Sequence, residues 1–314
     1  MPRTGPKRED ELMRHWRRHA TLHTTPRRVL EPVEGAATLY YSRDLTPIAA
    51  HPLIETLGPA AGHALLVQEL YAHLEFTAHL EHRVVTQVAW ELGIGRMLPW
   101  QQVGHRLDAN KIYVDEAYHS MVAVDFGQQV HAHSLVAPCV PAEPVFLDRL
   151  RTICDRAPAA LVPDIRLLFV VISETLITET LRQIYTDAEV LPCVRAVIRD
   201  HAKDEAVHRA YFSRLFTRWW PRLPVAEQQR LGAYIPQLIE CYFAIDVPTS
   251  RARLLEVGLD GCQAQAVIEE SLSEHAHRER LATATEGTLR LFRELGVFEH
   301  AQIHDAFERR GLTH

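Results

Sequence analysis

The sequence lacks the cysteine pairs that mark disulfide-rich and zinc-binding proteins. Its 314 residues include five cysteines, and no two of them have the spacing of a CxxC motif. Isolated cysteines are typical of reduced, intracellular proteins in which the thiols are structural. The chain also opens without a basic segment followed by an apolar one, so we find no secretory signal and expect a cytoplasmic protein.

Long apolar runs and an excess of positive charge are also missing. The longest apolar run, residues 167–172, is far shorter than the roughly 20 residues that a membrane-spanning helix needs. The formal net charge is −6, whereas surfaces that bind nucleic acid are strongly basic. We therefore expect neither a membrane nor a nucleic acid as a partner.

Apolar residues recur at three- and four-residue spacing after residue 60, which predicts helices. No stretch alternates as a β-strand does, and no glycine-rich phosphate loop is present. The predicted helices cover residues 61–93, 108–133, 146–157, 162–187, 190–217, 224–244 and 262–297. We predict an all-α fold in which residues 61–314 form a single helical domain. Residues 1–60, which prolines interrupt, are predicted to be an N-terminal arm that wraps the bundle.

Histidine is frequent, with 19 among 314 residues, and one predicted helix carries three metal-type donors on one face. His201, Glu205 and His208 lie at offsets of 0, 4 and 7, so they fall within roughly 60° of one another around the helix. Two imidazoles and a carboxylate in this arrangement are typical metal ligands. A solvated helix with some histidines is the alternative, and only the other helices can decide between them.

Three other helices each place a carboxylate on their apolar face. Glu81 lies seven residues from an apolar residue on either side, which puts all three within about 20° of one line. The same test selects Glu116, His119 and Glu174 in two further helices. Because an uncompensated buried carboxylate is costly, four of them in one core indicate a shared ligand.

The charge and order of these residues favour two metal ions. Four carboxylates carry a charge of about −4, which two divalent cations neutralise, and neutral imidazoles add ligands without charge. Glu, Glu-x-x-His, Glu and Glu-x-x-His on four helices is the di-metal pattern of ferritin-like bundles. Oxygen-rich ligation with imidazoles suits iron or manganese better than zinc or copper. Asp115 and Asp204 precede the motif glutamates and are either acceptors for the outer N–H of a ligating imidazole or solvated charges.

The ordered set resembles the aminobenzoate N-oxygenase family of di-iron enzymes over about residues 61–215. The residues that carry the resemblance are Glu81, then Glu116-Ala-Tyr-His119, then Glu174, then His201-x-x-x-Glu205-x-x-His208. The resemblance implies a ferritin-like helical bundle with additional C-terminal helices. It also implies seven metal ligands, of which His201 is the added histidine that other di-iron relatives lack.

The same resemblance implies an activity. Members of the family use O2 to convert an amine to hydroxylamine, nitroso or nitro products, usually in specialised metabolism such as natural product biosynthesis. The expected cofactor is a pair of iron ions, with manganese as a substitute, and the expected partners are an amine substrate, O2 and an external electron donor. The resemblance also implies a homodimer. We predict no catalytic residue beyond the metal ligands.

Other functions are compatible with these ligands. A di-iron hydroxylase or desaturase acting at carbon would use the same set, and a ferritin-like iron-binding protein is a third candidate. Nothing in the sequence identifies the substrate. Thr178, one turn beyond Glu174, is either a lining residue of a substrate cavity or a satisfied core threonine. No cation can be placed in such a cavity from periodicity, so a substrate carboxylate is neither predicted nor excluded.

Overall fold

The chain is mainly helical in the part that its structure, a computed structural model, describes: residues 6–31 and 39–312. Within these ranges the one β-type pairing is an isolated parallel bridge between Leu39 and Val190. The predicted all-α class is confirmed. No helix in the described ranges combines the length and the apolar character needed to cross a membrane.

Most of the described helices follow one another with connections of ten residues or fewer, but α2 and α3 lie further apart in the sequence. They are α1 (Pro6–His19), α2 (Thr21–Thr24), α3 (Pro52–Thr56), α4 (Pro59–Leu80), a π-helical turn (Glu81–Val85), α5 (Thr86–Gly93), α6 (Val103–Ser134), α7 (Val145–Arg156), α8 (Val162–Thr186), α9 (Pro192–Trp219), α10 (Val225–Gly232), α11 (Ile235–Tyr242), α12 (Val247–Glu256), α13 (Gly261–Ser271), α14 (Glu274–Glu294) and α15 (Ala301–Glu308).

Four long helical units form the bundle, and α8 lies at its centre. The unit α4–π turn–α5 packs along α6, α8 packs along α9, and α6 contacts α9. Helices α11 and α14 cover the outer side of α8, so residues 167–177 are all buried. A helix that is apolar all round is the expected sequence for such a position. The ferritin-like bundle with additional C-terminal helices is therefore confirmed.

The helix boundaries differ from the prediction at several places. The predicted helix 61–93 contains a π-helical turn at Glu81–Val85. The predicted helix 224–244 is two helices, α10 and α11, and the predicted helix 262–297 is likewise two, α13 and α14. Helices α12 and α15 were not predicted. The N-cap of α12 is Asp246, whose carboxylate accepts a hydrogen bond from the Thr249 amide, and a proline in the first turn is compatible with that start.

The N-terminal residues contact two helices of the bundle. Leu30 donates its amide hydrogen to the Gln129 side chain on α6, and α2 packs against α6 and α9. The division into an arm, 1–60, and a domain, 61–314, stays a prediction, and residues 1–5, 32–38 and 313–314 of these two units lie outside the described residues.

Candidate metal centre

The predicted ligands come from four helical units and point into one buried volume. Each of them has less than a tenth of its surface exposed. They are Glu81 in the π turn, Glu116 and His119 on α6, Glu174 on α8, and His201, Glu205 and His208 on α9. The inward orientation that helical periodicity predicted for them is therefore observed.

Six of these residues form two groups that share His119 and Glu205. One group is Glu81, His119, His201 and Glu205, and the other is Glu116, His119, Glu205 and His208. One donor atom from each member lies within 4.8 Å of the others in its group. Ligands about 2 Å from one cation lie at most roughly 4 Å apart, so a small contraction brings each group to metal-binding geometry.

The shortest contacts join imidazole nitrogens to glutamate oxygens. His201 Nε2 lies 2.8 Å from Glu81 Oε1 and 3.2 Å from Glu205 Oε1. His208 Nδ1 lies 3.0 Å from Glu116 Oε1 and 3.1 Å from Glu205 Oε1. Glu205 Oε1 is thus close to imidazoles of both groups, which is the position that a bridging carboxylate would take.

Glu174 stands apart from both groups. Its side chain is buried and its Oε2 atom makes no hydrogen bond. Burial first, and then the charges of Glu205 and Glu116, hold the pKa of Glu174 well above its ordinary value. The residue therefore faces the same acidic volume, although its oxygens belong to neither of the two close-packed donor groups.

The outer nitrogens of two imidazoles contact aspartates in a crossed arrangement. His119 Nε2 on α6 lies 3.0 Å from Asp204 Oδ2 on α9, and His208 Nε2 on α9 lies 3.4 Å from Asp115 Oδ2 on α6. Both aspartates are 4% exposed, which rules out the solvated-charge alternative. Each contact places the proton on Nε2 and leaves Nδ1 free to face inward as a ligand.

Two N-terminal side chains complete this outer layer, and sequence reasoning missed both. The Trp16 indole N–H donates to both carboxylate oxygens of Asp115, at 2.9 Å each. The Thr21 amide lies 3.2 Å from both oxygens of Asp204, and the Thr21 hydroxyl donates to the same carboxylate. These partners are 99 and 183 positions apart, so no helical periodicity relates them.

The donor set fits divalent metal ions. Atoms of five of the seven predicted ligands are buried without a hydrogen bond: Glu81 Oε1 and Oε2, Glu116 Oε1, Glu174 Oε2, His201 Nε2 and Glu205 Oε2. Buried polar atoms in a folded protein nearly always have a partner, so such a concentration needs an explanation. Converging carboxylate and imidazole donors that leave several buried atoms without a hydrogen bond are typical of a metal-binding site.

The acidic surroundings make the imidazoles basic. Burial lowers the pKa of His201, but the neighbouring carboxylates of Glu81 and Glu205 together outweigh it and raise this pKa to about 9. The pKa values of His119 and His208 are likewise raised well above 6.5 by nearby carboxylates, against the effect of burial. Burial raises the pKa of Glu81 to about 7, although His201 opposes it. Without metal, protons therefore neutralise the charge that cations would otherwise neutralise.

A cavity of about 320 Å³ adjoins one side of the donor set. The imidazoles of His119 and His201 form part of its wall, and the rest is mainly apolar, with Leu74, Val122 and Phe126 among the lining residues. Thr178 is not one of its lining residues, and its hydroxyl is buried without a hydrogen bond. Neither of the two roles considered for Thr178 is therefore observed.

The crossed aspartates give a first prediction. Asp204→Asn or Asp115→Asn should lower metal affinity by about 10- to 100-fold, because the imidazole loses the anion that fixes its tautomer. Competition with a chelator during Mn(II) titration measures this effect. Asp108→Asn is the control, since Asp108 lies on α6 but pairs with Lys111. Unchanged metal affinity in both Asp204→Asn and Asp115→Asn would contradict the role of these aspartates in fixing the imidazole tautomers.

The raised histidine pKa values predict opposite pH responses with and without metal. A pKa raised from 6.5 to about 9 stabilises the metal-free fold below pH 6.5, and this stabilisation is lost as the pH rises toward 9. Metal binding requires deprotonated imidazoles and strengthens over the same interval. The difference in Tm between loaded and chelator-treated protein should therefore widen from pH 6.5 to 9 in calorimetry. If the Tm of the loaded protein and the Tm of the chelator-treated protein changed in parallel with pH, the histidines would not be the metal ligands.

The sequence of the chain was compared with models of known protein families. The family model described as P-aminobenzoate N-oxygenase AurF matches residues 8–296, which is nearly the whole chain and contains every predicted ligand. No curated protein matches the chain. The family is one of oxidoreductases, and its match extends well beyond residues 61–215, on which the resemblance rested. The chain therefore belongs to the p-aminobenzoate N-oxygenase family.

Proposed function

We propose that the protein is a non-haem di-iron oxygenase that uses O2 to oxidise the nitrogen of an amine. The observation that carries the proposal is the convergence of carboxylates and imidazoles from four helical units next to a largely apolar cavity. Family membership supports the reaction type, because the description of the family names an N-oxygenase. The iron ions, the dependence on O2 and the amine substrate are the proposed parts.

The proposed ligands are Glu81, Glu116, His119, Glu174, His201, Glu205 and His208. Two iron ions held there would supply the electrons that reduce O2, and manganese is the expected substitute because the same ligands suit it. His119 and Glu205 belong to both donor groups, so they lie between the two proposed metal positions. Glu174 would complete the set after a shift of its side chain toward them.

The side chains of the protein would position the amine and exclude water. The cavity reaches His119 and His201, so a substrate inside it lies beside the donor group that contains Glu81. Apolar walls favour a neutral amine, whose lone pair is available for reaction, over an ammonium ion.

We further propose that residues 1–60 act as an arm on the bundle, that the enzyme is a homodimer, and that an external donor supplies electrons.

Metal analysis combined with product analysis tests this function. Protein loaded anaerobically with Fe(II) should hold about two ions per chain, and exposure to O2 with a panel of aryl and alkyl amines should give products that gain oxygen at nitrogen. Mass spectrometry detects the products, and omission of O2 is the control. Oxygen on carbon would support the hydroxylase reading. A shell of many subunits that stores iron without converting an amine would support the ferritin-like reading.

The added histidine gives a separate prediction. His201→Ala should lower retained iron from about two ions toward one per chain, because the group with Glu81 loses one of its imidazoles. Iron content after desalting against a weak chelator measures this loss. His82→Ala is a matched control, since His82 adjoins Glu81 in the chain but is exposed. Full iron occupancy and turnover in His201→Ala would exclude His201 as a ligand.

A further inference from the structure

One N-terminal segment contacts both halves of the outer layer around the proposed ligands. Residues 16–28 include Trp16, which donates to Asp115, and Thr21, which donates to Asp204. These aspartates in turn contact the outer nitrogens of His208 and His119. Two parallel chains of hydrogen-bonding groups thus lead from one short segment to one imidazole in α9 and one in α6.

The same segment forms one wall of the cavity. Thr21 and residues 25–28 line it, as do residues of α4. Arg27 pairs with Asp125 on α6 at 2.8 Å, and Arg28 pairs with Asp200 on α9 at 2.7 Å. The segment therefore bridges the two helices that carry most of the proposed ligands, and it lines the cavity together with them.

The donors of the segment act on the imidazoles through the aspartates. A carboxylate that accepts hydrogen bonds from Trp16 or Thr21 is held in one orientation. The orientation fixes the imidazole ring, and the charge fixes the proton on its outer nitrogen. If the segment is displaced, each aspartate loses its other donor while the imidazole still needs an acceptor.

We propose that Trp16 and Thr21 are positioning residues of the metal centre, so that docking of residues 16–28 and metal binding strengthen each other. This proposal rests on the proposed metal site but not on the reaction or its substrate. Thermodynamic linkage makes the effect reciprocal. If docking of the segment raises the metal affinity by some factor, bound metal raises the docking equilibrium constant by the same factor. Metal loading and docking of this cavity wall are then coupled through the same residues.

Metal titration of single variants tests the first half of this linkage. Trp16→Phe removes the indole N–H, and Thr21→Val removes the hydroxyl with little change in shape. Each should weaken Mn(II) binding by about 3- to 10-fold, less than the loss expected for the aspartates themselves. Thr21→Ser retains the hydroxyl and should restore the native affinity. Thr24→Val is the matched control, because the Thr24 hydroxyl donates only within the segment, to the Ala20 carbonyl.

Limited trypsin digestion tests the reciprocal half. Arg17 and Arg18 are exposed on α1, and cleavage there requires the helix to open locally. Saturating Mn(II) should slow this cleavage in the native chain, and the protection should shrink in Trp16→Phe and Thr21→Val by the factor seen in affinity. Circular dichroism of each variant verifies the fold.

Two results would overturn the proposal. One is native Mn(II) affinity in both folded variants. The other is a cleavage rate within residues 16–28 that Mn(II) does not change, because a purely structural role for the two side chains would destabilise the fold without responding to metal. Neither result depends on amine conversion. A chain that binds Mn(II) as expected but oxidises no amine would refute the proposed reaction and leave this linkage in place.

Discussion

The structure depends on how a helical core accommodates four glutamates and three histidines without bulk water. Removing one carboxylate from water costs several kcal/mol even after the surroundings relax. In this chain the glutamates converge instead of each finding its own basic partner, and atoms of Glu81, Glu116, Glu174 and Glu205 make no hydrogen bond. Protons on the imidazoles reduce the cost when metal is absent, which explains the raised pKa of His201. Divalent cations would reduce it further and fix the geometry.

This constraint accounts for much of the architecture. Glutamates on separate helices can meet only if those helices are long, straight and held in register, and α8 achieves this by being buried along residues 167–177. The C-terminal helices α11 and α14 pack on α8. They are needed because a four-helix bundle alone would leave one side of this apolar helix in water. The additional helices therefore support the site without contributing a ligand to it.

Helical periodicity identified the inward carboxylates because each decision was local. Glu81 could be selected from apolar residues one heptad away on either side, and no knowledge of other helices was required. The π-helical turn that begins at Glu81 was not predicted, since its wider hydrogen bonding depends on packing rather than on a distinctive sequence. Trp16 was missed for a related reason. It meets Asp115 across 99 positions, and only the docked segment brings them together.

The site is not symmetrical with respect to the cavity, and this asymmetry bears on the added histidine. The cavity wall includes His119 and His201 but neither Glu116 nor His208. The donor group with Glu81 and His201 therefore borders the cavity, and a substrate bound there would lie nearer to it than to His208. As a metal ligand, His201 would be a neutral imidazole that occupies a position water could otherwise take and adds no charge to an already acidic volume. In the proposed enzyme it would thus limit water at the point where the amine approaches, which a seventh ligand on the far side could not do.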